Sequence, residues 1–207
     1  ATEAPVQSAD PPSLAGESLH DLDGLCHGID ADRTPGPVTR FFAGGHRSAE
    51  RALDRFMRTA LDGYAARRRH PEAAAVSQLS PYLQYGQISA QRIAATVAAW
   101  PGAASADRDA FLDELIVRRE LAHNHTLRHP AWDRYEGIPA WAREGLARHA
   151  GDPRPHVYDL TQLEAAATHD PYWNAAMTEA RLTGYMHNHL RMYWGKKILE
   201  WSPSPEE

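Results

Sequence analysis

Apolar residues in this chain recur in steps of three and four, and no segment alternates with period two over a useful length. Ala49, Ala52, Leu53, Phe56, Met57, Ala60, Leu61 and Tyr64 place one greasy stripe on one face of a helix. This pattern predicts an all-α fold from about residue 48 onward, with no sheet of three or more strands. Ser48 is the expected N-cap of the first helix. Arg67-Arg68-Arg69 suits its C-terminal end, where cations complement the macrodipole, and Pro71 stops it. A loop covers 70–80. A second helix is expected over 89–100, with Ser89 as cap and Pro101 as stop. A third, long helix runs from Ser105 to about 126, with Phe111, Leu112, Leu115, Ile116 and Leu121 inside. Shorter helices are expected at 139–149 and 161–168, where Thr161 and Glu164 have capping-box spacing. Asp170-Pro171 opens another helix, Asp as cap and Pro in the first turn. The last runs from about 185 to 200.

The 207 residues suffice for one domain plus a short appendage and for a sizeable core. Residues 1–37 are rich in Pro, Ser and Asp and show little periodicity. They read as a linker or tail with one short helix near Leu19–Leu25, ahead of a domain over 38–207. Cys26 is the sole cysteine, which excludes an intramolecular disulfide and a cysteine-based zinc site and fits a reducing, cytoplasmic setting. The net charge is −5, so any nucleic-acid contact must come from a local patch rather than from whole-molecule attraction. No apolar run approaches a membrane span and no signal peptide is visible. Apart from Lys196 and Lys197, the Lys/Arg complement is entirely Arg, the better fork for phosphate.

Four sets of residues carry candidate chemistry. Ser77-Gln78-Leu79-Ser80 places small hydroxyls and backbone N–H groups ahead of a turn, which suits phosphate oxygens and equally an ordinary polar loop. Glu114 and Arg118 lie four apart on one helix face, the spacing of a routine ion pair. Trp173, Trp194 and Trp201 fall in the last third, the latter two seven apart and so on one helix face. Buried indoles are core residues first, and closely packed ones also pass electrons. Last, His123-Asn124-His125 and His187-Asn188-His189 repeat on two predicted helices. His123, His125, His187 and His189 offer a minority metal site for zinc or iron, although residues two apart on a helix point away from each other. No metal is the favoured reading.

Three strings carry a family resemblance. They are Thr168-His169-Asp170-Pro171-Tyr172-Trp173-Asn174 with Arg191-Met192-Tyr193-Trp194-Gly195-Lys196-Lys197-Ile198-Leu199-Glu200-Trp201, then Ser77-Gln78-Leu79-Ser80-Pro81-Tyr82-Leu83 with Gly86-Gln87-Ile88-Ser89, and Glu114-Leu115-Ile116-Val117-Arg118-Arg119-Glu120-Leu121. In this order they resemble the helical flavin-binding domain of the photolyase and cryptochrome superfamily, closest to the class II cyclobutane pyrimidine dimer photolyases. The resemblance runs from about residue 37 to 207. It implies FAD as cofactor, UV-damaged DNA as partner, and light-driven splitting of pyrimidine dimers flipped out of the duplex.

By the same resemblance, Tyr64, Ser77, Gln78, Leu79 and Ser80 hold the diphosphate and ribityl region, and Arg118, Asn188 and Arg191 lie near the flavin. Glu114 hydrogen-bonds the flipped-out dimer, and Trp173, Trp194 and Trp201 relay electrons. Tyr64, Ser77, Ser80, Glu114, Arg118, Asn188 and Arg191 are expected to converge on one cavity. The family pattern also implies an α/β antenna domain before this chain and a further segment after it, carrying the aspartate that pairs with Arg191. The chain therefore reads as truncated at both ends, and is expected to bind FAD weakly or not at all by itself and so to show little repair activity. Two other readings stand beside this one: a flavin-free relative repurposed as a metal or small-molecule enzyme through its His and Glu residues, and a helical interaction module.

Overall fold

The computed structural model describes Gly24, residues 27–30 and residues 36–206. The chain divides into two units, Ala1–Pro35 and Gly36–Glu207, and every helix from His46 onward belongs to the second. The tail expected over 1–37 and its short helix near Leu19–Leu25 fall almost wholly outside the described residues. Among those that are described there is no strand, and no helix is long and apolar enough to cross a membrane.

Helix α1 spans His46–Thr59 and buries Ala49, Ala52, Leu53, Phe56 and Met57, the stripe read from the sequence. Its cap differs from expectation. Gly45, with φ of 96°, precedes the helix, while Ser48 sits in the first turn and accepts a hydrogen bond from Arg51. The Gly45 N–H donates instead to Gln87 Oε1 at 2.8 Å, so a distant side chain supplies what a local cap was expected to supply. The helix also stops early. Gly63 takes a left-handed conformation at φ 76°, which a residue with a Cβ adopts only under strain, and the chain restarts as α2, Tyr64–Arg67.

That restart is anchored from elsewhere. The buried carboxylate of Asp107 accepts the Gly63 and Ala65 N–H groups, each at 2.8 Å. Asp107→Ala leaves two poorly hydrated donors unpaired, and should cost about 3 kcal/mol in a urea unfolding curve. An unchanged midpoint would show that α2 needs no such anchor.

Next come α3 (Ser80–Gln84), α4 (Ala90–Ala98) and α5 (Ser105–Leu112). Ser89 caps α4 by accepting the Arg92 N–H at 3.1 Å, as its position predicts. The first core gathers Leu53, Phe56, Leu61, Tyr64, Leu79, Ile93, Val97, Phe111 and Leu115 with their smaller neighbours.

The long helix expected from Ser105 is continuous but not uniform. After α5, residues Asp113–Arg118 form a π-helical segment before α6, Arg119–Arg128, resumes. A π turn is wider than an α turn and rotates every later side chain about the axis. Phe111 and Leu115 remain buried, whereas Ile116 and Leu121, expected inside, are 46% and 58% exposed.

The remaining helices are α7 (Ala140–Arg148), α8 (Leu160–Glu164), α9 (Pro171–Thr183) and α10 (Asn188–Trp201). The capping box of α8 is made by Asp159 and Gln162, not by Thr161 and Glu164. Asp170 caps α9 as expected, accepting the Tyr172 and Trp173 N–H groups at 2.8 and 3.1 Å. Leu163, Trp173 and Trp201 form the second core, with Tyr158, Met177, Trp194 and Ile198 packed against it.

Candidate functional site

The three indoles gather tightly. Trp173 of α9 lies between the two tryptophans of α10, its ring centroid 5.3 Å from Trp194 and 5.3 Å from Trp201. Trp173 is fully buried and its Nε1–H donates to the Leu163 carbonyl at 3.3 Å. Trp201 is 2% exposed, and Trp194 is half-buried with an indole N–H that meets no acceptor. The seven-residue spacing put Trp194 and Trp201 on one face; it could not reveal that Trp173 bridges them.

Beneath this cluster the Tyr193 hydroxyl donates to Asp170, the cap of α9. Burial first, and then that hydrogen bond and carboxylate, push the Tyr193 phenol up to about 12. Burial alone would raise Asp170, but the Tyr193 hydroxyl and the Trp173 and Tyr172 N–H groups outweigh it and hold the carboxyl below its ordinary range. A phenol whose pKa is raised on folding contributes stability that is present below the unfolded value of 10.0 and is lost as pH climbs toward 12. Unfolding midpoints should therefore fall between those two pH values, and Tyr193→Phe should flatten that part of the profile. An equal alkaline loss in the variant would assign the effect to another group.

Glu114 does not pair with Arg118. In the π segment Arg118 reaches Asp113, five residues back, with Nε 3.3 Å from Oδ2. Glu114 instead forms an ion pair with Arg68, whose guanidinium also lies 5.8 Å over the Tyr64 ring centroid. Tyr64 is 8% exposed, edge-on to Phe56 and Phe111 at 5.7 and 5.6 Å, and burial raises its phenol pKa. Arg68 was missed by sequence reasoning, which took Arg67-Arg68-Arg69 as a complement to the helix dipole. Its Nε is buried without a partner.

The stretch from Ala74 to Ser80 carries two of the three non-glycine residues with positive φ among the described residues, the third being Ala166. Gln78 has φ 54° and Ala74 has φ 48°, both in the left-handed region that residues with a Cβ avoid. Ser77 and Gln78 line a cavity of about 370 Å³ together with Arg55, Thr59, Tyr185 and His187. Leu79 is buried in the first core, and Ser80 is an exposed first residue of α3. Of the seven residues expected to converge on one cavity, this one takes in Ser77 alone. Asn188 and Arg191 are exposed, with Arg191 Nη2 3.5 Å from Asn188 Oδ1. Among the described residues no hydrogen bond or ion pair joins them to Tyr64, Arg68 or Glu114.

The cavity wall carries the Arg55 guanidinium and the Glu179 carboxylate together with hydroxyl and amide groups. Serine and threonine hydroxyls, a primary amide and a guanidinium all favour anionic oxygen. The His187 Nδ1 accepts the His189 N–H at 3.1 Å, so the remaining proton of the neutral ring sits on Nε2, a buried donor without a partner beside the cavity. Burial, then the positive neighbours His189 and Arg191, hold this imidazole below its ordinary pKa. His187 is spent on capping α10, His125 stacks on His129 at 5.0 Å, and no three His, Cys, Asp or Glu among the described residues gather around a common point.

Among the described residues the body is all-helical, with a buried indole cluster and a separate polar cleft, and comparison with known proteins adds to this picture. The chain is 46% identical over 199 residues to the deoxyribodipyrimidine photo-lyase of Arabidopsis thaliana, over 94% of this chain and 40% of that protein. It is 42% identical over 192 residues to the deoxyribodipyrimidine photo-lyase of Oryza sativa subsp. japonica, over 90% and 38%. The protein of that name from Potorous tridactylus is 41% identical over 187 residues, over 90% and 35%. A crystal structure of a bacterial class III photolyase from Agrobacterium tumefaciens superposes with a TM-score of 0.68 over 91% of this chain and 37% of that one; at 22% identity this likeness speaks to the fold alone. No protein-family model matches.

The chain belongs to the deoxyribodipyrimidine photolyase family. It spans about 40% of the length of the first of these relatives. A match over 94% of the chain takes in more than residues 37–207, so the similarity enters the N-terminal segment, where the sequence alone carried no recognisable motif.

Proposed function

We propose that this chain serves as the helical, cofactor-bearing part of a class II-like enzyme for light-driven repair of cyclobutane pyrimidine dimers in UV-damaged DNA. The observation that carries this reading is the identity to deoxyribodipyrimidine photo-lyases along nearly the whole chain, rather than at one motif. Reduced FAD, when bound and excited, supplies the electron that opens the two bonds joining the pyrimidines.

The chain's own residues bind, orient and exclude water. Ser77, Gln78 and the neighbouring backbone hold the diphosphate, with Leu79 fixing the loop to the core. By the family resemblance Tyr64, Ser80, Arg118, Asn188 and Arg191 would also border the cofactor, although none of them lines this cavity. Glu114 holds the flipped-out dimer by hydrogen bonds, and its ion pair with Arg68 aims the carboxylate. Trp194, Trp173 and Trp201 form a rigid run of neighbouring indoles that would pass single electrons from the protein surface toward a bound flavin. Arginines set the DNA position through phosphates without reading sequence. The setting is cytoplasmic, in keeping with one cysteine and no disulfide.

A fluorescence titration tests cofactor choice. FAD emission should be quenched on binding near the indoles, and inorganic diphosphate should compete, since it occupies the same donors. Unquenched emission at high FAD, both for this chain and for one extended at its C-terminus by the matching photolyase segment, would remove the flavin reading. Nothing in the geometry favours the metal-enzyme or interaction-module alternatives.

A further inference from the structure

The indole cluster does not end at Trp201. The Tyr158 ring lies edge-on to it with centroids 5.4 Å apart, and His169 does the same beside Tyr158 at 5.3 Å. The Tyr158 hydroxyl and His169 Nδ1 are 2.7 Å apart, and the His169 backbone N–H donates to that same hydroxyl oxygen at 3.0 Å. The phenol oxygen already accepts this N–H, and in the His169 tautomer protonated on Nε2 the Tyr158 hydroxyl donates its own proton to Nδ1. His156 stacks on His169, 3.7 Å between centroids and 20° between planes. The Tyr158 N–H donates to the Trp201 carbonyl at 3.1 Å, which ties the pair to the end of α10. Trp201 is buried, Tyr158 half-buried, and His169 and His156 exposed. The cluster thus runs from a dry interior to a wet edge.

We propose that Tyr158 and His169 are the proton-coupled outer terminus of the tryptophan relay. The step balances as one electron and one proton. A one-electron photo-oxidant, in the enzyme the light-excited oxidised cofactor, leaves a radical cation on the indoles. Tyr158 gives one electron to Trp201, and its hydroxyl proton passes to His169 Nδ1. The products are neutral Trp201, a neutral phenoxyl radical on Tyr158 and a His169 imidazolium, which sheds a proton to solvent.

Two features favour this direction. The Lys197 ammonium stands 5.3 Å over the Trp201 ring, so a second positive charge on that indole is repelled. Tyrosine escapes the same penalty only if a base takes its proton as the electron leaves, and His169 is the base at hydrogen-bond distance. Without the relay this contact would be a surface Tyr–His pair, so the inference rests on the relay reading above.

The test supplies the oxidant from outside, so that failure to hold flavin leaves it answerable. Purified protein is flashed with tris(bipyridyl)ruthenium and persulfate, and radicals are followed by transient absorption and freeze-quench electron paramagnetic resonance. The wild type should form a neutral tyrosyl radical, more slowly in deuterated water. Tyr158→Phe should retain only the tryptophanyl signal. His169→Leu should lower the tyrosyl yield about 100-fold, at the low end of the worth of a positioned base, and added imidazole should restore part of it. A tyrosyl signal of equal strength in Tyr158→Phe, a His169→Leu yield like the wild type's, or no isotope effect in the wild type would each overturn the proposal. The isotope measurement needs no variant and decides the matter even if a substitution unfolds the protein.

Discussion

Trp173→Ala is expected to cost about 4 kcal/mol of stability, the usual loss when a fully buried aromatic is cut to a methyl. The side chain has no exposed surface, touches both other indoles and satisfies its N–H on the Leu163 carbonyl. Removing it opens a void in the smaller of the two cores, where few other large side chains are available to fill the space. Since a domain of this kind holds only about 5–15 kcal/mol in reserve, urea unfolding should show a much lower midpoint. Trp173→Phe should recover most of that stability while breaking the relay, because benzene is far harder to oxidise than indole. Equal stability of Trp173→Ala and wild type would mean that the second core contributes little.

The second large effect is expected at Glu114. Glu114→Ala should reduce dimer repair about 100-fold at constant light, the equivalent of roughly 3 kcal/mol for one desolvated, charge-assisted contact. The same change strips Arg68 of its partner, and a half-buried guanidinium without a counter-charge is costly. Glu114→Gln keeps the shape and one hydrogen bond and should lose less. Repair by Glu114→Ala at the wild-type rate would show that this carboxylate serves the Arg68 pair and not the lesion.

What the sequence revealed and what it hid divide along one physical line. Elements whose signals are local were legible. Ser89 before α4 and Asp170-Pro171 before α9 satisfy their own helix termini, so a short window contains the whole cause. The apolar stripe from Ala49 to Met57 likewise needs nothing distant. Elements decided by remote partners were hidden. Gly45 precedes α1 because Gln87 takes its N–H, and α2 restarts where Asp107 holds it. The π segment is the costliest omission, since it moved Arg118 onto Asp113 and freed Glu114 for Arg68, 46 residues away in sequence. The indole cluster was half legible. Spacing put Trp194 and Trp201 on one face, whereas the bridging role of Trp173 and the Tyr158–His169 extension arise only from packing α9 and the 156–169 stretch against α10.

The central claim is tested most directly by light-driven repair in a defined mixture. The protein is combined with UV-irradiated oligothymidylate and reduced FAD at a concentration high enough to fill even a weak site by mass action. Near-UV or blue light is then applied, and restored thymines are followed by their regained ultraviolet absorbance, with flavin emission reporting occupancy. The account predicts dimer loss that needs light, reduced FAD and Glu114 together. Dimers that persist under illumination while flavin is demonstrably bound would contradict it.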